Sequence, residues 1–109
     1  MSYSIVSNAF FDKQLKRLVK KYPSFKSEFA AELAELTVNP LRGTPLGHHC
    51  YKVRIAIASK NAGKSGGARF ITYVQVINTT IYLISIYDKG EQDTLSDKEI
   101  KEMIKHMPK

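Results

Sequence analysis

The sequence has little cysteine, no long apolar run and, over about half of its length, no acidic residue. Its single cysteine, Cys50, excludes an internal disulfide framework and a thiolate-rich zinc site, and suits a reducing compartment. We expect Cys50 to be a small buried apolar residue. No stretch approaches about 18 consecutive apolar residues, and no charged region followed by an apolar one opens the chain. Neither membrane insertion nor export is indicated, so we expect a cytoplasmic protein.

The chain is short, and its 109 residues can bury roughly two thirds of the unfolded surface, which is enough for one hydrophobic core. We therefore predict one domain over residues 1–109. Lys and Arg total 17 against 10 Asp and Glu, which gives a net charge of +7. A surface of this charge attracts polyanions such as RNA, DNA or an acidic protein.

The positive charge is concentrated where acids are missing. Residues 36–87 contain no Asp or Glu. Cations without nearby carboxylates repel one another, so a bound polyphosphate is the favoured interpretation, and a solvated basic surface is the alternative. Acids elsewhere, such as Glu28, Glu32 and Glu35, could fold back onto this segment. Its cations are Arg42, Lys52, Arg54, Lys60, Lys64 and Arg69.

The first forty residues predict a short strand and a helical hairpin. Residues 3–7 are β-prone, and Asn8 is a plausible N-cap for a helix that Pro23 ends. Ser24 can cap a second helix, which ends before Asn39 because Pro40 disfavours the helical conformation there. Apolar residues recur along both segments at helical spacing, which predicts that each helix has one buried face.

The rest of the chain predicts three further strands and a closing helix. Residues 40–47 read as a loop, and from Tyr51 the apolar period changes to two. A flexible connection over residues 59–68 precedes two strands, 69–77 and 80–87, joined as a hairpin. Ser96 and Glu99 form a capping box for the last helix. We predict an α+β fold, with a mainly antiparallel four-stranded sheet, an N-terminal helical hairpin and a C-terminal helix.

Alternation along these strands predicts two different sheet faces. The face under the helical hairpin would hold Val53, Ile55, Ile57, Phe70, Val74, Val76, Tyr82, Ile84 and Ile86. The opposite face would hold Lys52, Arg54, Arg69, Tyr73, Tyr87 and Lys89, together with Ile71, Ile77, Ile81 and Leu83. We expect the closing helix to shelter part of this second face and to leave a basic, aromatic half open.

The candidate chemistry needs no cofactor. Residues 58–65 match a loose phosphate-loop pattern, but a strand follows instead of a helix, so nucleotide hydrolysis is not indicated. His48 and His49 are either loop histidines or candidate general bases, and their spacing from His106 does not suggest a metal site. Metal-free RNA cleavage is compatible with the composition, because the 2′-hydroxyl is the nucleophile and Arg, Lys and Tyr can supply the remaining groups.

Three segments resemble a known family. They are residues 51–54 (Tyr-Lys-Val-Arg), 63–69 (Gly-Lys-Ser-Gly-Gly-Ala-Arg) and 84–91 (Ile-Ser-Ile-Tyr-Asp-Lys-Gly-Glu). They look like the corresponding segments of the RelE/HigB toxins of bacterial type II toxin–antitoxin systems. The resemblance implies a microbial-ribonuclease-like fold, metal-independent cleavage of mRNA in the 30S decoding site of the ribosome, growth inhibition, and silencing by a cognate antitoxin.

The resemblance also implies site residues. Arg69 is the expected stabiliser of phosphate charge with help from Arg54, and Tyr87 would stack on or orient a nucleotide. Lys64 or Lys89 would abstract the 2′-hydroxyl proton, with a pKa depressed by neighbouring cations. Asp88 could instead pair with Lys89. The expected RNA-binding residues are Lys52, Lys60, Arg54 and Tyr73.

Two other functions stay open from the sequence. ParE proteins share this fold and poison gyrase without enzymatic activity, although they lack the ribonuclease constellation. A nucleic-acid-binding regulator without catalysis would also suit the positive charge and the six tyrosines.

Overall fold

The structure, a computed structural model, describes residues 3–60, 66–91 and 96–105. The predicted α+β class is confirmed, but the sheet has five strands and not four. In chain order the elements are β1 (Ser4–Val6), α1 (Ala9–Lys21), α2 (Phe25–Val38), β2 (Thr44–Gly47), β3 (Cys50–Ile55), β4 (Ala68–Gln75), β5 (Thr80–Asp88) and α3 (Asp97–Lys105).

The sheet order is β1-β5-β4-β3-β2, with β1 parallel to β5 and all other pairs antiparallel. The strand that the sequence analysis missed is β2, in the segment predicted as a loop. Its Pro45 pairs with Tyr51, and the register shifts between Pro45 and Gly47. An edge strand with an irregularity tolerates proline, because one side needs no ladder hydrogen bonds. Because Pro45 and Gly47 are typical of turns, the sequence analysis assigned this strand to a loop.

The helix boundaries follow from local capping. The Asn8 side chain accepts a hydrogen bond from the Phe11 N–H at 2.9 Å, which confirms the predicted N-cap of α1. Ser24 precedes α2 as predicted, but its hydroxyl caps no backbone N–H of α2: it donates to Glu28 at 2.8 Å and accepts from the Ser59 N–H at 3.0 Å. The capping box of α3 is confirmed, because Ser96 and Glu99 bond each other's backbone N–H at 3.1 and 3.0 Å. Within the described ranges, no helix has the length and apolar character that crossing a bilayer requires.

The helices divide into two layers on either side of the sheet. On one face α1 and α2 enclose the larger core, in which Phe29 meets Phe70 edge-on at 5.5 Å between ring centroids. On the other face α3 covers a smaller core, in which Ile100 packs near Ile71 and Tyr87. The predicted shelter of the second face by the closing helix is thus confirmed at Ile71. We call this side, which carries α3, the α3 face.

A bulge corrects the predicted face assignments in β5. Ile71 pairs with Ser85 but Thr72 pairs with Leu83, so Ile84 is an extra residue in the strand. One extra residue reverses the alternation upstream of it. As a result Ile81 and Leu83 lie in the larger core, whereas Ile84 lies on the α3 face and the Tyr82 ring packs there against Tyr73. The sequence alone predicted the opposite for all four.

The β4–β5 hairpin also ends earlier than predicted. β4 stops at Gln75, and a turn follows in which the Thr79 N–H donates to the Val76 carbonyl at 3.1 Å. Val76 and Ile77, assigned to a strand by their β propensity, are 61% and 97% exposed in this turn. Backbone pairing in the neighbouring strands determined this boundary, and local propensity did not.

Candidate functional site

The register of the three central strands lines up three of the predicted site residues. Arg54 of β3 is directly opposite Arg69 of β4, and Arg69 is directly opposite Tyr87 of β5. Adjacent strands lie about 4.8 Å apart, so this row spans about 10 Å across the sheet. Its members alternate with the core residues Val53, Phe70 and Ile86, which places all three side chains on the α3 face.

Two lysines extend the row into a cationic cluster. Lys52 precedes Arg54 by two residues and therefore shares its side of β3. Lys89 follows β5, and its backbone N–H donates to the Gly67 carbonyl at 3.0 Å, which brings it beside the start of β4. We call Lys52, Arg54, Arg69 and Lys89 the cationic cluster.

The members of the cluster differ in their access to solvent. Arg54 is exposed, and Lys52 and Lys89 are half-buried. Arg69 is only 3% exposed, and its guanidinium donates to the Ala68 carbonyl at 3.1 Å. Burial lowers the pKa of Arg69 and the charge of Arg54 lowers it further, whereas Tyr87 opposes the shift. The sequence predicted that this basic half of the sheet face is open. The structure corrects this at Arg69, which is buried, whereas Arg54, Lys52 and Lys89 are more exposed. We call Arg69 the floor of the site and the other three residues its rim.

The pKa of Lys52 reflects its burial and the positive charges around it. Its pKa is lowered first by desolvation and then by the positive charges of Arg54, Arg69 and Lys89. A lysine with a lowered pKa has a larger fraction of free amine near neutral pH, which makes it a better proton acceptor. Alternation predicted Lys52 on this face as an RNA-binding residue. The lowered pKa was not predicted, because it depends on burial and on Arg69 and Lys89, which are distant from Lys52 in sequence.

Tyr87 has a dual environment. It ends the row beside Arg69, yet it is 5% exposed and packs in the smaller core near Ile100. The sequence suggested either a core aromatic or a nucleotide-orienting residue, and the structure places it at the boundary of both. This packing holds the Tyr87 ring in place, so its phenol group would contact a ligand from a fixed position.

The remaining predicted site residues do not all join the cluster. Tyr73 lies four residues along β4 from Arg69, about 13 Å away, where its ring packs against Tyr82 at 6.1 Å between centroids. The structure does not bring Tyr73 to the row. Lys60 ends a short 3₁₀ turn at Ala58–Lys60, before the start of β4. Lys64, the other candidate for proton abstraction, lies outside the described residues.

Acids from outside the acid-free segment fold back onto it, both at Arg42 and at Ala58, whose N–H donates to the Glu28 carboxylate at 2.9 Å. Arg42 forms an ion pair with Glu32 and lies 3.9 Å from Glu35, both on α2. The expectation that acids from elsewhere could fold back is thus confirmed here, and Arg42 has a structural role. By contrast, the ion pairs among the described residues include neither Lys52 nor Arg54.

Asp88 is turned toward α1. Its carboxylate is 2% exposed and accepts hydrogen bonds from the Tyr22 hydroxyl at 2.6 Å and from the Gly90 N–H at 2.9 Å. The Lys21 ammonium lies 3.8 Å away. These contacts tie the end of α1 to the end of β5, and so they help to fix the backbone that carries Tyr87 and Lys89. This role could not be predicted from the sequence, because Tyr22 and Asp88 are 66 residues apart.

Of the histidines, His48 and His49 lie among the described residues, and both are away from the cluster. His48 and His49 form the β2–β3 turn, both with positive φ, and His48 Nε2 is 3.4 Å from Asp97 of α3. Cys50, next to the turn, lies four residues from Arg54, about 13 Å along β3. Burial raises the pKa of the Cys50 thiol to about 12, which confirms the expected buried apolar role. In the described part of the chain, no three metal-ligating side chains converge.

Glycine at position 67 has a steric reason. A Cβ there would clash with the Ile55 carbonyl oxygen, because the two backbones cross closely before β4 begins. The Gly67 carbonyl also accepts the hydrogen bond from Lys89. The Gly-Gly-Ala-Arg run therefore positions both Arg69 and Lys89.

We expect Gly67→Ala to lower the free energy of unfolding by about 1–3 kcal/mol, because the neighbouring strand has to move. Urea denaturation measures this change. Unchanged stability would show that the strands separate easily at this crossing, and the proposed positioning of Arg69 by Gly67 would then be wrong.

Comparison with known proteins is consistent with this geometry. A family model described as the RelE toxin of the RelE/RelB toxin–antitoxin system matches residues 7–109. A mutant of the E. coli toxin RelE in the free state has a similar structure, with a TM-score of 0.62 and 17% identity over 99% of this chain and 100% of that chain. The toxin–antitoxin complex RelBE2 from Mycobacterium tuberculosis matches with a TM-score of 0.57 and 18% identity, over 81% of this chain and 99% of that chain. At these identities the two structures support the fold alone.

Proposed function

This chain belongs to the RelE toxin family of RelE/RelB toxin–antitoxin systems, and from that premise we propose that it is a metal-independent endoribonuclease that cleaves mRNA on the ribosome. The observation that carries the proposal is the convergence of Arg54, Arg69 and Tyr87 in one row, with Lys52 and Lys89 beside it. These residue types meet the needs of RNA cleavage by the substrate's own 2′-hydroxyl.

The reaction requires three catalytic functions from the protein. The 2′-oxygen loses its proton and attacks the adjacent phosphorus, the bond from phosphorus to the 5′-oxygen breaks, and the 5′-oxygen gains a proton. The products are a 2′,3′-cyclic phosphate and a 5′-hydroxyl. A base, an acid and a stabiliser of the pentacoordinate phosphate are required, and none of them has to be a metal.

We assign proton abstraction to Lys52. Among the candidate lysines Lys64 and Lys89 from the sequence and Lys52 from the structure, Lys52 combines a described position in the cluster with a lowered pKa. Lys89 lies two residues beyond Tyr87, beside the row, and its side chain can donate a proton to the leaving 5′-oxygen. This revises the initial assignment, in which Lys64 or Lys89 was the base.

Phosphate stabilisation falls to the two arginines. The strand register fixes Arg69 between Arg54 and Tyr87, so that its planar fork is directed before substrate arrives. A preorganised cation in a poorly hydrated site stabilises developing negative charge more than a solvated cation does. Arg54, on the exposed rim, contacts the phosphate first, and Tyr87 orients the nucleotide from the edge of the smaller core.

The proposed partners follow from the same surface. The substrate is mRNA held in the 30S decoding site, and the protein acts in the cytoplasm. A cognate antitoxin would silence it by covering the cationic cluster with carboxylates. The M. tuberculosis toxin–antitoxin complex, which has the same fold, supports this partner.

Mapping of transcript ends after induction tests the proposal. Expression should arrest growth, and primer extension should reveal new 5′ ends within translated mRNA. Purified protein should cleave ribosome-bound mRNA and leave 2′,3′-cyclic phosphate ends. Growth arrest with DNA breaks and intact mRNA would instead indicate a gyrase inhibitor. Binding to nucleic acid without growth arrest would indicate a regulator.

A further inference from the structure

The side chain of Gln14, on α1, is hydrogen-bonded to the bulged part of β5. Its amide oxygen Oε1 accepts a hydrogen bond from the Ile86 N–H at 3.1 Å and another from the Ser85 hydroxyl at 3.3 Å. These two residues directly follow Ile84, the extra residue of the strand, and both are buried. One oxygen from α1 therefore satisfies two buried donors at the point where the regular pairing of β5 is interrupted.

α1 continues the cover of the outer edge of β5 where β1 ends. β1 pairs with residues 80–82 of β5, and the chain then enters α1 through its N-cap at Asn8. Farther along β5, α1 contacts the strand at Gln14 and again where the Tyr22 hydroxyl donates to Asp88. Tyr87 lies between these two contacts. Side chains of the helix therefore hold the segment of β5 that carries Tyr87.

The bulge determines on which face of the sheet Tyr87 lies. Side chains alternate along a strand, so a regular β5 would carry residues 81, 83, 85 and 87 on one face. In the structure Ile81 and Leu83 lie in the larger core, whereas Tyr87 lies in the smaller core on the α3 face. The extra residue between them causes the reversal. Without the bulge, Tyr87 would face the larger core and would not lie beside Arg69.

The contact with Gln14 favours the bulged arrangement over a regular one. A bulge interrupts the ladder with the neighbouring strand, and a buried N–H or hydroxyl that loses its partner destabilises the structure. Gln14 Oε1 meets both donors in the bulged arrangement. A shift of one residue would move Ser85 and Ile86 relative to α1 and would break both hydrogen bonds. The contact therefore stabilises the register that the site requires.

We propose that Gln14 is a positioning residue for the proposed reaction: it stabilises the bulge of β5 and thereby keeps Tyr87, and Lys89 after it, on the side of the sheet where Arg69 lies. The inference rests on the proposed function and extends it to a residue outside the cationic cluster. Gln14 acts through Ser85 and Ile86 and has no contact with the substrate in this role.

The test depends on the acceptor at the end of the Gln14 side chain. A backbone N–H can only donate, so the atom that meets Ile86 is the amide oxygen and not the amide nitrogen. Gln14→Met removes this acceptor but keeps an unbranched side chain that a helix tolerates. Gln14→Glu keeps an acceptor at the same place. The matched control is Asn8→Ala, which removes the capping hydrogen bond of the same helix and leaves the contacts of the bulge in place.

Two NMR measurements report on β5 independently of activity. In Gln14→Met the Ile86 N–H should exchange about tenfold faster relative to the other amides of β5, as expected for the loss of one hydrogen bond. Nuclear Overhauser effects between the Tyr87 ring and Ile100 should weaken, because the two side chains share the smaller core only while Tyr87 is on the α3 face. Both signals should stay at the wild-type level in Gln14→Glu and in Asn8→Ala.

Cleavage of ribosome-bound mRNA reports on the site itself. We expect kcat of Gln14→Met to fall by about 10–100-fold, the effect of a small misplacement of a group that orients the substrate. KM should stay close to the wild-type value, because Arg54 and Lys52 lie on β3, which Gln14 does not contact. Gln14→Glu should regain most of the rate. Asn8→Ala should have a lower Tm but a wild-type kcat per folded molecule, which separates positioning from stability.

The contrary results are also specific. The proposal is overturned by a wild-type kcat in Gln14→Met, by an equal fall of kcat in Asn8→Ala, or by failure of Gln14→Glu to restore the Tyr87–Ile100 signals and the rate. If Gln14→Met does not fold, Ser85→Ala replaces it, since it removes one of the two hydrogen bonds and leaves α1 unaltered. It should then show a smaller loss in the same measurements, and wild-type behaviour would contradict the proposal.

Failure of the proposed function gives a different pattern. If the wild type cleaves no mRNA, the proposed ribonuclease function is wrong. The exchange of the Ile86 N–H and the Tyr87–Ile100 signals then still decide whether Gln14 keeps Tyr87 on the α3 face.

Discussion

Replacing Arg69 by methionine is expected to lower mRNA cleavage by about 10²–10³-fold and to abolish growth arrest. The register holds Arg69 between Arg54 and Tyr87, so its loss removes the one preorganised fork of hydrogen-bond donors at the centre of the row. Methionine retains most of the buried stem of a side chain that is 3% exposed, whereas alanine would leave a cavity. Single-turnover cleavage of ribosome-bound mRNA measures the effect.

Conservative variants show whether geometry or charge is responsible. Arg69→Lys keeps the charge but loses the planar fork, and we expect it to recover only a small part of the activity. The matched control is Arg42→Lys, which alters a guanidinium that pairs with Glu32 on α2 and should leave cleavage unchanged. Thermal denaturation of each variant checks the fold. A folded Arg69→Met protein that still arrests growth would contradict the assignment of the row as the active site.

Regular elements were predictable where local signals agree with tertiary packing. Asn8 caps α1, and Ser96 with Glu99 caps α3, because capping bonds form between residues close in sequence. Alternation in β3 placed Lys52 and Arg54 on the correct face. The prediction failed in β5, because the bulge at Ile84 arises from pairing with β4 and leaves no local signal.

The residue types of the candidate site could be predicted from the sequence, but the exposure of each side chain could not. Alternation assigned Arg54 and Arg69 to the same face, and the register then made them direct neighbours. Exposure could not be inferred in the same way, because it depends on packing from both sides of a strand. Arg69 is buried although Arg54 is exposed, and only the folded arrangement distinguishes the floor of the site from its rim.

Lys52→Gln is the second substitution for which we expect a large effect, a loss of about 10²–10⁴-fold in the chemical step. Glutamine cannot accept the 2′-hydroxyl proton, although its size and polarity are compatible with a half-buried position. Lys52→Arg should not restore activity, because a guanidinium stays protonated at every accessible pH. If Lys52→Arg cleaves as the wild type does, Lys52 supplies charge and another group is the base.

The pH dependence of cleavage gives the sharper test of Lys52. Its pKa is lowered by desolvation, Arg54, Arg69 and Lys89, so the free amine forms at lower pH than in an isolated lysine. The wild-type rate should rise with pH and level off below the usual pKa of 10.5. In Arg54→Gln one of these positive charges is gone, and the pKa of Lys52 should return toward 10.5, so the rising limb should move to higher pH.

The control removes an equal charge far from the cluster. Lys26 is exposed on α2, on the other side of the sheet, and solvent screens its charge from Lys52. Lys26→Gln should therefore leave the rising limb at the wild-type position. A limb that stays in place in Arg54→Gln as well would show that another group titrates, because the amine of Lys52 cannot lose a neighbouring cation without a rise in its pKa.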